Sequence, residues 1–277
     1  MKKGGAVLIL ILSLAGFTGL KLVLDAIPRA RVPGASILYL PSGKSLQYMS
    51  LGNRPLMADL IYLWAIQYFS NTAVADRYDH MEHVFSIIAE LDPRYLDPYQ
   101  IGAMIASTDA GDLQKALWIL DLGLEKNPDQ WIFPYQAGHL AIPLKDFELA
   151  REYFKKAMEI PGASPITRRL YANAATELSD YPTALKHWGE IYETTDDERI
   201  KRIATNHLYR VYAAIHTKRL TEALGAFRER FGRNPGSLSD LVKLGFIESL
   251  PRDVDGNDYV YDPATGEVTT AVPWWKR

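Results

Sequence analysis

The chain has 277 residues, of which 31 are basic and 33 acidic, so its formal net charge at pH 7 is -2. This balance lacks the basic excess of a nucleic-acid-binding protein, and we expect no nucleic-acid partner. The chain contains no cysteine. Disulfides, zinc–thiolate sites, thiol catalysis and a lipid-modified N-terminal cysteine are therefore excluded.

Residues 1–27 are predicted to form a signal anchor, that is, a transmembrane helix that is not cleaved. Residues 6–24 are nineteen consecutive positions with a single charge, Lys21. As a helix this run spans about 28 Å, close to the hydrocarbon thickness of a bilayer. A cleaved signal peptide ending at residues 13–15, Ser-Leu-Ala, is the alternative. The apolar run continues well beyond that site, which favours the anchor.

Basic residues near the N-terminus predict the orientation of this anchor. Lys2 and Lys3 favour a cytoplasmic N-terminus, although Lys21, Arg29 and Arg31 on the other side dilute the bias. The expected location is a bacterial inner membrane, crossed once, with the soluble body in the periplasm.

A connector rich in proline and glycine follows at residues 28–54. Within it, residues 36–40 and 46–50 flank a Pro-Ser-Gly-Lys sequence, and this pattern predicts a short β-hairpin. Residues 57–69 then form a very apolar predicted helix, with more apolar positions than one stripe needs. Two interpretations remain open for it: a first repeat helix buried between neighbours, or a helix that docks on a membrane or partner.

A period of 34 residues organises the centre of the chain. The small residues Ala116, Ala150 and Ala184 lie 34 positions apart, and a bulky residue follows each after four positions: Leu120, Phe154 and Trp188. Looser copies of this pair stand before and after them, at Met81 and Phe85 and at Ala223 and Phe227. A fixed period of this length indicates stacked helix pairs, which cannot bury their apolar stripes alone. Prolines at 93, 128, 161 and 235 are predicted to stop the second helix of successive pairs.

The repeated register resembles the tetratricopeptide repeat family. In that family a Gly or Ala late in helix A is followed at fixed spacings by a small residue, an aromatic, an Ala and a Pro. One unit fits at Gly138, Ala150, Phe154 and Ala157, with Pro161 one residue early; neighbouring units begin at Gly102, Ala172 and a degenerate Val211. The resemblance covers residues 55–235 and implies an all-α superhelix of about five helix pairs, acting as a binding scaffold rather than an enzyme.

The resemblance also implies a binding groove, lined in this family by helix A. The positions that would line it are Tyr99, Tyr135, His139, Arg169, Asn173, Thr176, Tyr212 and His216. Arg169 with Asn173 resembles part of the clamp that some members use for a terminal carboxylate. The neighbouring units do not repeat that pair, so a full clamp is rejected. The aromatic content instead predicts a peptide packed on tyrosines, with Arg169 making one directed contact.

The last segment, residues 236–277, leaves the repeat pattern. Ser237 is predicted to cap a short helix that ends near Gly245. Residues 259–261 and 267–270 then flank a turn in which Gly266 takes a positive φ, so a β-hairpin is expected.

Residues 250–261 resemble the C-terminal segment of type II secretion major pseudopilins, with Leu-Pro, Asp, Gly-Asn and Tyr-x-Tyr in order. That loop can bind calcium in those proteins, which raises the question for four oxygen-bearing residues here: Asp253, Asp255, Asn257 and Asp258. Their alternate spacing suits calcium, but Gly256 falls early and a bidentate Glu is missing at the twelfth position. A polar turn before the hairpin is the preferred interpretation, and calcium is kept as the alternative.

These features predict a membrane-anchored, non-catalytic scaffold that mediates protein–protein interactions in the assembly or function of a bacterial envelope machine. The tail favours a secretion or pilus system. The sequence contains no phosphate-binding glycine loop, no His-Glu-x-x-His and no Gly-x-Ser-x-Gly, so no catalytic residue, cofactor or metal is predicted. The alternative is a permanent structural subunit of a membrane complex. An apolar outer face would favour that alternative, and a polar one the scaffold.

Overall fold

The structure of the chain, a computed structural model, describes residues 3–26 and 40–273. In these ranges the chain is mostly helical and carries one small two-stranded sheet. It divides into two compact units, Met1–Ile119 and Leu120–Arg277. The mainly helical class with a C-terminal hairpin is therefore confirmed.

The first unit is built from the N-terminal helices. They are α1 (Lys3–Ala26), α2 (Gly43–Met49), α3 (Arg54–Ser70), α4 (Met81–Leu91) and α5 (Leu96–Thr108). The next helix, α6 (Leu113–Lys126), contains the division between the units. At the centre of the first unit, α4 packs against α2, α3 and α5.

Side chains of α1 that the structure describes are largely exposed, including Leu12, Phe17 and Leu22. Across residues 3–26 and 40–273, no helix has the combined length and apolarity that a membrane span requires.

The β-hairpin predicted in the connector is wrong in its second strand. Its first strand falls mainly on residues 36–39, outside the described residues, but residues 46–49 belong to α2. The Pro-Ser-Gly-Lys sequence begins a helix rather than turning a hairpin, because the Ser42 hydroxyl accepts a hydrogen bond from the Ser45 N–H at 3.3 Å. Buried Leu46, and a 2.8 Å hydrogen bond from Gln47 Nε2 to the Glu90 carbonyl, then hold this short helix.

The second unit continues the helical series and ends in the small sheet. Its elements are α7 (Ile132–Ala141), α8 (Phe147–Glu159), α9 (Ile166–Glu177), α10 (Tyr181–Thr194), α11 (Glu198–Phe231), α12 (Ser239–Lys243), β1 (Val260–Asp262) and β2 (Glu267–Thr269). From α7 to α11, each helix packs against the next one in the chain. Packing between sequence neighbours is the arrangement of a helical solenoid.

The residues that keep the 34-residue period are core residues. Ala116, Ala150 and Ala184 have no exposed surface, and their bulky partners, Leu120, Phe154 and Trp188, are at most 2% exposed. Three second helices also end where proline predicts, since α4, α6 and α8 each stop two residues before Pro93, Pro128 and Pro161.

The last predicted helix pair is a single helix. The degenerate unit beginning at Val211 was expected to turn before Ala223, but both residues lie inside α11, which is 34 residues long. Residues 211–222 contain no Gly, Pro, Asn or Asp, so nothing in that stretch favours a turn over a continuous helix. The helix ends at Gly232, which takes φ +69°.

Close approach between α7 and α8 depends on a glycine. A Cβ atom added to Gly138 would lie 2.6 Å from the nearest ring carbon of Phe154. The same relation occurs in the first unit, where a Cβ at Gly102 would lie 2.6 Å from the ring of Phe85. Each of these helices therefore packs its backbone directly on an aromatic ring.

The C-terminal segment forms a small module packed on α11. The predicted hairpin is confirmed: β1 and β2 pair antiparallel with Tyr261 opposite Val268, and Gly266 has φ +77°. The short helix begins at Ser239, later than the predicted cap at Ser237. A shared core of buried residues joins this module to α11, and includes Leu224, Phe227, Leu241, Tyr259 and Val268.

The approach of α7 to α8 generates a test with a matched control. Gly138→Ala is expected to destabilise the protein by about 1–3 kcal/mol, because the added methyl group meets a buried ring. Gly189→Ala, in α10, adds the same methyl group where no atom lies within 4 Å, and should stabilise by up to ~1 kcal/mol through helix propensity. Urea unfolding measures both, and equal effects of the two substitutions would contradict this packing.

Candidate partner-binding surface

An aromatic stripe runs along α7. Trp131, Tyr135 and His139 are one turn apart, with ring centroids separated by 5.5 Å and then 4.7 Å in edge-to-face contacts. His139 continues the series to Phe154 of α8, at 5.5 Å. Trp131 and Tyr135 are half-buried and His139 is exposed. One side of the stripe therefore packs against the protein, and the other side faces solvent. Rigid aromatic side chains of this kind are typical anchors for a protein partner.

This packing favours the neutral form of the His139 ring. Contact with Tyr135 and Phe154 removes water from the ring, and the resulting desolvation lowers the pKa of His139 below its ordinary value. At neutral pH the stripe therefore presents an uncharged surface.

Arg169 of α9 lines an open pocket and carries the positive charge that is predicted to contact a partner. The pocket has a volume of about 370 Å³ and combines Arg168 and Arg169 with the apolar side chains of Met158, Ile191 and Ile200. Arg168 is paired with Glu190 at 3.5 Å, whereas the buried Nε of Arg169 has no hydrogen-bond partner in the described part of the chain. None of the described lining residues is acidic. The guanidinium groups can therefore donate hydrogen bonds to a carboxylate or a backbone carbonyl in this pocket.

Asn173 lies one turn after Arg169 on α9 and is half-buried. The structure thus places the two polar residues of the predicted groove on the same side of one helix. Near them, Ala174 of α9 shares a core cluster with Ala141 at the end of α7. The helices that carry the stripe and Arg169 therefore meet in one core within the second unit.

Two of the predicted groove residues lie in the core. Tyr99 is 2% exposed, and its hydroxyl donates to the Pro93 carbonyl at 3.1 Å. Thr176 is buried, and its hydroxyl donates to the Ala172 carbonyl at 2.9 Å. Both side chains stabilise the helical array and leave little surface for a partner, so the proposed contact set below excludes them.

The two groove residues predicted on α11 differ in their surroundings. Tyr212 is exposed, but His216 contacts the C-terminal module, with Nδ1 3.0 Å from the Tyr259 hydroxyl. Burial, reinforced by the charge of Arg219, lowers the pKa of His216, and burial raises the pKa of Tyr259 to about 12. The tyrosine thus keeps the proton that it can donate to the neutral ring. The contact of His216 with Tyr259 therefore helps to hold the C-terminal module on α11.

The aspartates of the C-terminal loop organise a turn. Asp253 is buried and accepts hydrogen bonds from the N–H groups of Asp255 and Asn257, from Asn257 Nδ2 and from the Tyr209 hydroxyl, at 2.7–3.2 Å. Burial would raise the pKa of Asp253, but these hydrogen bonds lower it below its ordinary value. Asp258 pairs with Arg252 at 3.3 Å. The preferred interpretation, a polar turn, describes this loop, and in the described ranges no group of three or more His, Asp or Glu side chains could hold a metal ion.

The sequence pattern does not predict a stack of two rings, Trp188 and His207, in the second unit. The His207 ring of α11 lies parallel to Trp188 of α10, with centroids 4.0 Å apart and planes 5° apart. Burial lowers the pKa of His207 to about 4; Arg210 lowers it and Glu177 raises it. No local pattern pairs two residues nineteen positions apart. Trp131 was missed as well, although its position one turn before Tyr135 is a helical signal that could have found it.

No protein-family model matches this chain, and a search of curated proteins finds no similar sequence. Any assignment of function therefore depends on the residues and geometry described above.

The histidines of the second unit predict acid sensitivity. In the unfolded chain His207 is protonated when the pH falls below its ordinary pKa of 6.5. In the folded chain it is protonated only near pH 4. Its contribution to stability is therefore full above pH 6.5 and is lost as the pH falls through this window, by roughly 2–3 kcal/mol. The lowered pKa values of His139, His187 and His216 act in the same direction.

His207→Phe keeps a ring against Trp188 and removes the proton-binding group. The slope of unfolding free energy against pH, measured by urea unfolding between pH 6.5 and pH 4, should become flatter in this variant. His139→Phe should flatten it less, because that ring is exposed. An unchanged slope in the His207 variant would show that the stack does not exclude the charged ring.

Proposed function

We propose that this chain is a membrane-anchored, non-catalytic scaffold of the tetratricopeptide repeat type, which captures another protein during the assembly or operation of a bacterial envelope machine. A secretion or pilus system is the favoured setting, on the strength of the C-terminal resemblance alone. The observation that carries the proposal is the open aromatic stripe of α7, together with Arg169 beside its pocket. Aromatic rings and a guanidinium are the groups that most often anchor a bound peptide.

The sequential packing of α7 to α11 supports a repeat array of this type. The buried positions recur with the 34-residue period of the sequence, and the small residues lie where consecutive helices meet. An array of this kind presents one side chain set per repeat along a continuous surface, which suits the binding of an extended or helical segment.

The outward side of α8 favours a transient receptor over a permanent subunit. Its exposed residues include Glu152, Lys155, Lys156 and Glu159. A mixed, solvated charge pattern of this kind is typical of a face that stays in water. The partner is therefore proposed to contact the side that carries the aromatic stripe.

The proposed membrane anchor is supported by the apolar run at residues 6–24 and by the exposure of apolar side chains on α1, including Leu14, Phe17 and Leu20. Exposed apolar side chains around a helix are stable only where something other than water covers them. The flanking charges of Lys2 and Lys3 put the body in the periplasm in this proposal.

A permanent structural subunit is the second candidate. It is favoured by one observation in the first unit, where Leu56, Leu60 and Leu63 of α3 are more than half exposed. An apolar face of that kind could be covered by a subunit that never dissociates.

Partner capture is tested with a double variant. Tyr135→Ala with Arg169→Ala removes one aromatic anchor and the unpaired charge, and should weaken retention of the native partner at least about tenfold, because truncating a binding hot spot costs about 2 kcal/mol or more. The control, Tyr192→Ala with Arg202→Ala, removes the same residue types from exposed positions on α10 and α11. Quantitative cross-linking in native membranes compares the two, with circular dichroism to verify folding. Equal retention in both variants would move the binding surface elsewhere.

Topology is tested by protease added to intact spheroplasts. The body beyond residue 40 should be digested, because the proposed orientation exposes it on the outer side of the inner membrane. Protection in spheroplasts followed by digestion after lysis would instead put the body in the cytoplasm.

A further inference from the structure

Helix α3 is apolar on two opposite sides. One side is the core of the first unit, with Ala58 and Ala65 fully buried. On the other side Leu56, Leu60 and Leu63 are 57%, 55% and 57% exposed. Their spacing of four and then three residues puts them in a single stripe along the helix. The described part of the chain thus leaves this stripe in contact with solvent.

Three more exposed apolar side chains lie in the segment just before α3, next to α2, which packs against α3. Tyr48 and Met49 at the end of α2, and Leu51 in the following turn, are 86%, 61% and 89% exposed. We call these three residues, together with the three leucines of α3, the α2–α3 apolar surface. Soluble proteins rarely expose several large apolar side chains side by side unless the surface has a partner.

Charge in the first unit is distributed unevenly around this surface. Residues 40–70 contain Lys44 and Arg54 and a single acidic residue, Asp59, whose carboxylate is hydrogen-bonded to Tyr95. Residues 71–119, the remainder of the first unit, contain three basic and eight acidic residues. Acidic groups are therefore concentrated in residues 71–119, whereas the segment that carries the exposed apolar side chains has one more basic than acidic residue. This polarity matches a helix that lies on an anionic lipid surface.

Chain length keeps the α2–α3 apolar surface close to whatever holds α1. Only residues 27–39 separate the end of α1 from Leu40, and even fully extended they reach at most about 50 Å. The described side chains of α1, such as Leu14 and Phe17, are themselves largely exposed, so this part of α1 and the leucine stripe of α3 do not cover each other. The same bilayer can therefore cover both exposed apolar surfaces, because the segment that joins them is short.

We propose that the α2–α3 apolar surface lies in the boundary between headgroups and acyl chains of the bilayer that anchors α1, with α3 parallel to the membrane plane. The inference rests on the proposed membrane anchor and adds a second contact with the same lipid. Lys44 and Arg54 face anionic headgroups in this position. Trp64, stacked on Tyr68 at 5.1 Å, lies at the edge of the leucine stripe, where an amphipathic aromatic residue suits the interface.

The absence of cysteine makes a direct test possible, because each new cysteine is the only labelling site. Leu60→Cys reports on the proposed lipid contact, and Leu14→Cys reports on α1. Glu82→Cys, at an exposed position in α4 of the same unit, is the aqueous control. Each full-length variant is spin-labelled and reconstituted in vesicles of phosphatidylcholine and phosphatidylglycerol. Collision rates are then measured with oxygen, which concentrates in lipid, and with a nickel chelate, which stays in water.

The expected result is an oxygen-to-nickel accessibility ratio at Leu60 that is several-fold higher than at Glu82 and approaches the ratio at Leu14. A lipid value at Leu14 with an aqueous value at Leu60 would overturn the inference and leave the anchor intact. A label at Leu60 that neither reagent reaches would also overturn it, because a protein or second copy would then cover the stripe. A lipid value at Leu60 alone would support the contact of α3 with lipid but overturn the anchor and the shared bilayer, and aqueous values at both positions would overturn both contacts.

Discussion

The close contact between a helix backbone and an aromatic ring is the constraint on which the helical array depends. Gly138 has no side chain, so the ring of Phe154 packs directly on the backbone of α7, and fully buried Ala150 lies one turn before that ring. A larger residue at either small position would separate the helices. The same ring supports His139 from beneath, so the packing of α7 on α8 also sets the position of the exposed aromatic stripe. Core and candidate site therefore share one interaction.

The end of the array is stabilised differently, by polar contacts between α11 and the C-terminal module. The Tyr209 hydroxyl lies within hydrogen-bond distance of both the Asp253 carboxylate and the Val272 carbonyl, and His216 contacts Tyr259. Asp253 in turn accepts the hydrogen bonds that shape its own loop. A solenoid has an unsatisfied face at each end, and a module that covers the last helix removes that face from water. The C-terminal module therefore packs along much of the length of α11, and Tyr259 of the module is the structural partner of His216.

The two units present different surfaces to their surroundings. In the second unit the exposed residues of α8 are charged, and the aromatic stripe is half-buried at Trp131 and Tyr135 and exposed at His139. In the first unit the exposed residues of α3 include three leucines opposite the core. The two units are therefore proposed to bind different partners. A surface of rings and one unpaired arginine suits a protein segment, whereas a broad leucine stripe flanked by basic residues suits lipid. The two proposed contacts are separate, and each belongs to its own unit.

The sequence by itself determined the helical class, the buried positions of the 34-residue period, the helix ends before Pro93, Pro128 and Pro161, and the C-terminal hairpin. These features depend on patterns that are visible in the sequence, namely the repeated spacing of small and bulky residues, the backbone restriction before proline, and the turn at Gly266. The candidate surface was only partly predictable: the polarity of Arg169 and Asn173 was visible, but the burial of Tyr99 and Thr176 was not. Only the tertiary structure decided that α11 runs unbroken, that residues 46–49 are helical, that His207 stacks on Trp188 and that His216 contacts Tyr259. The two ring contacts join residues that are distant in the chain, so no local pattern indicates them. The short helix at residues 46–49 is held in part by the distant Glu90, and α11 continues because residues 211–222 contain no residue that favours a turn.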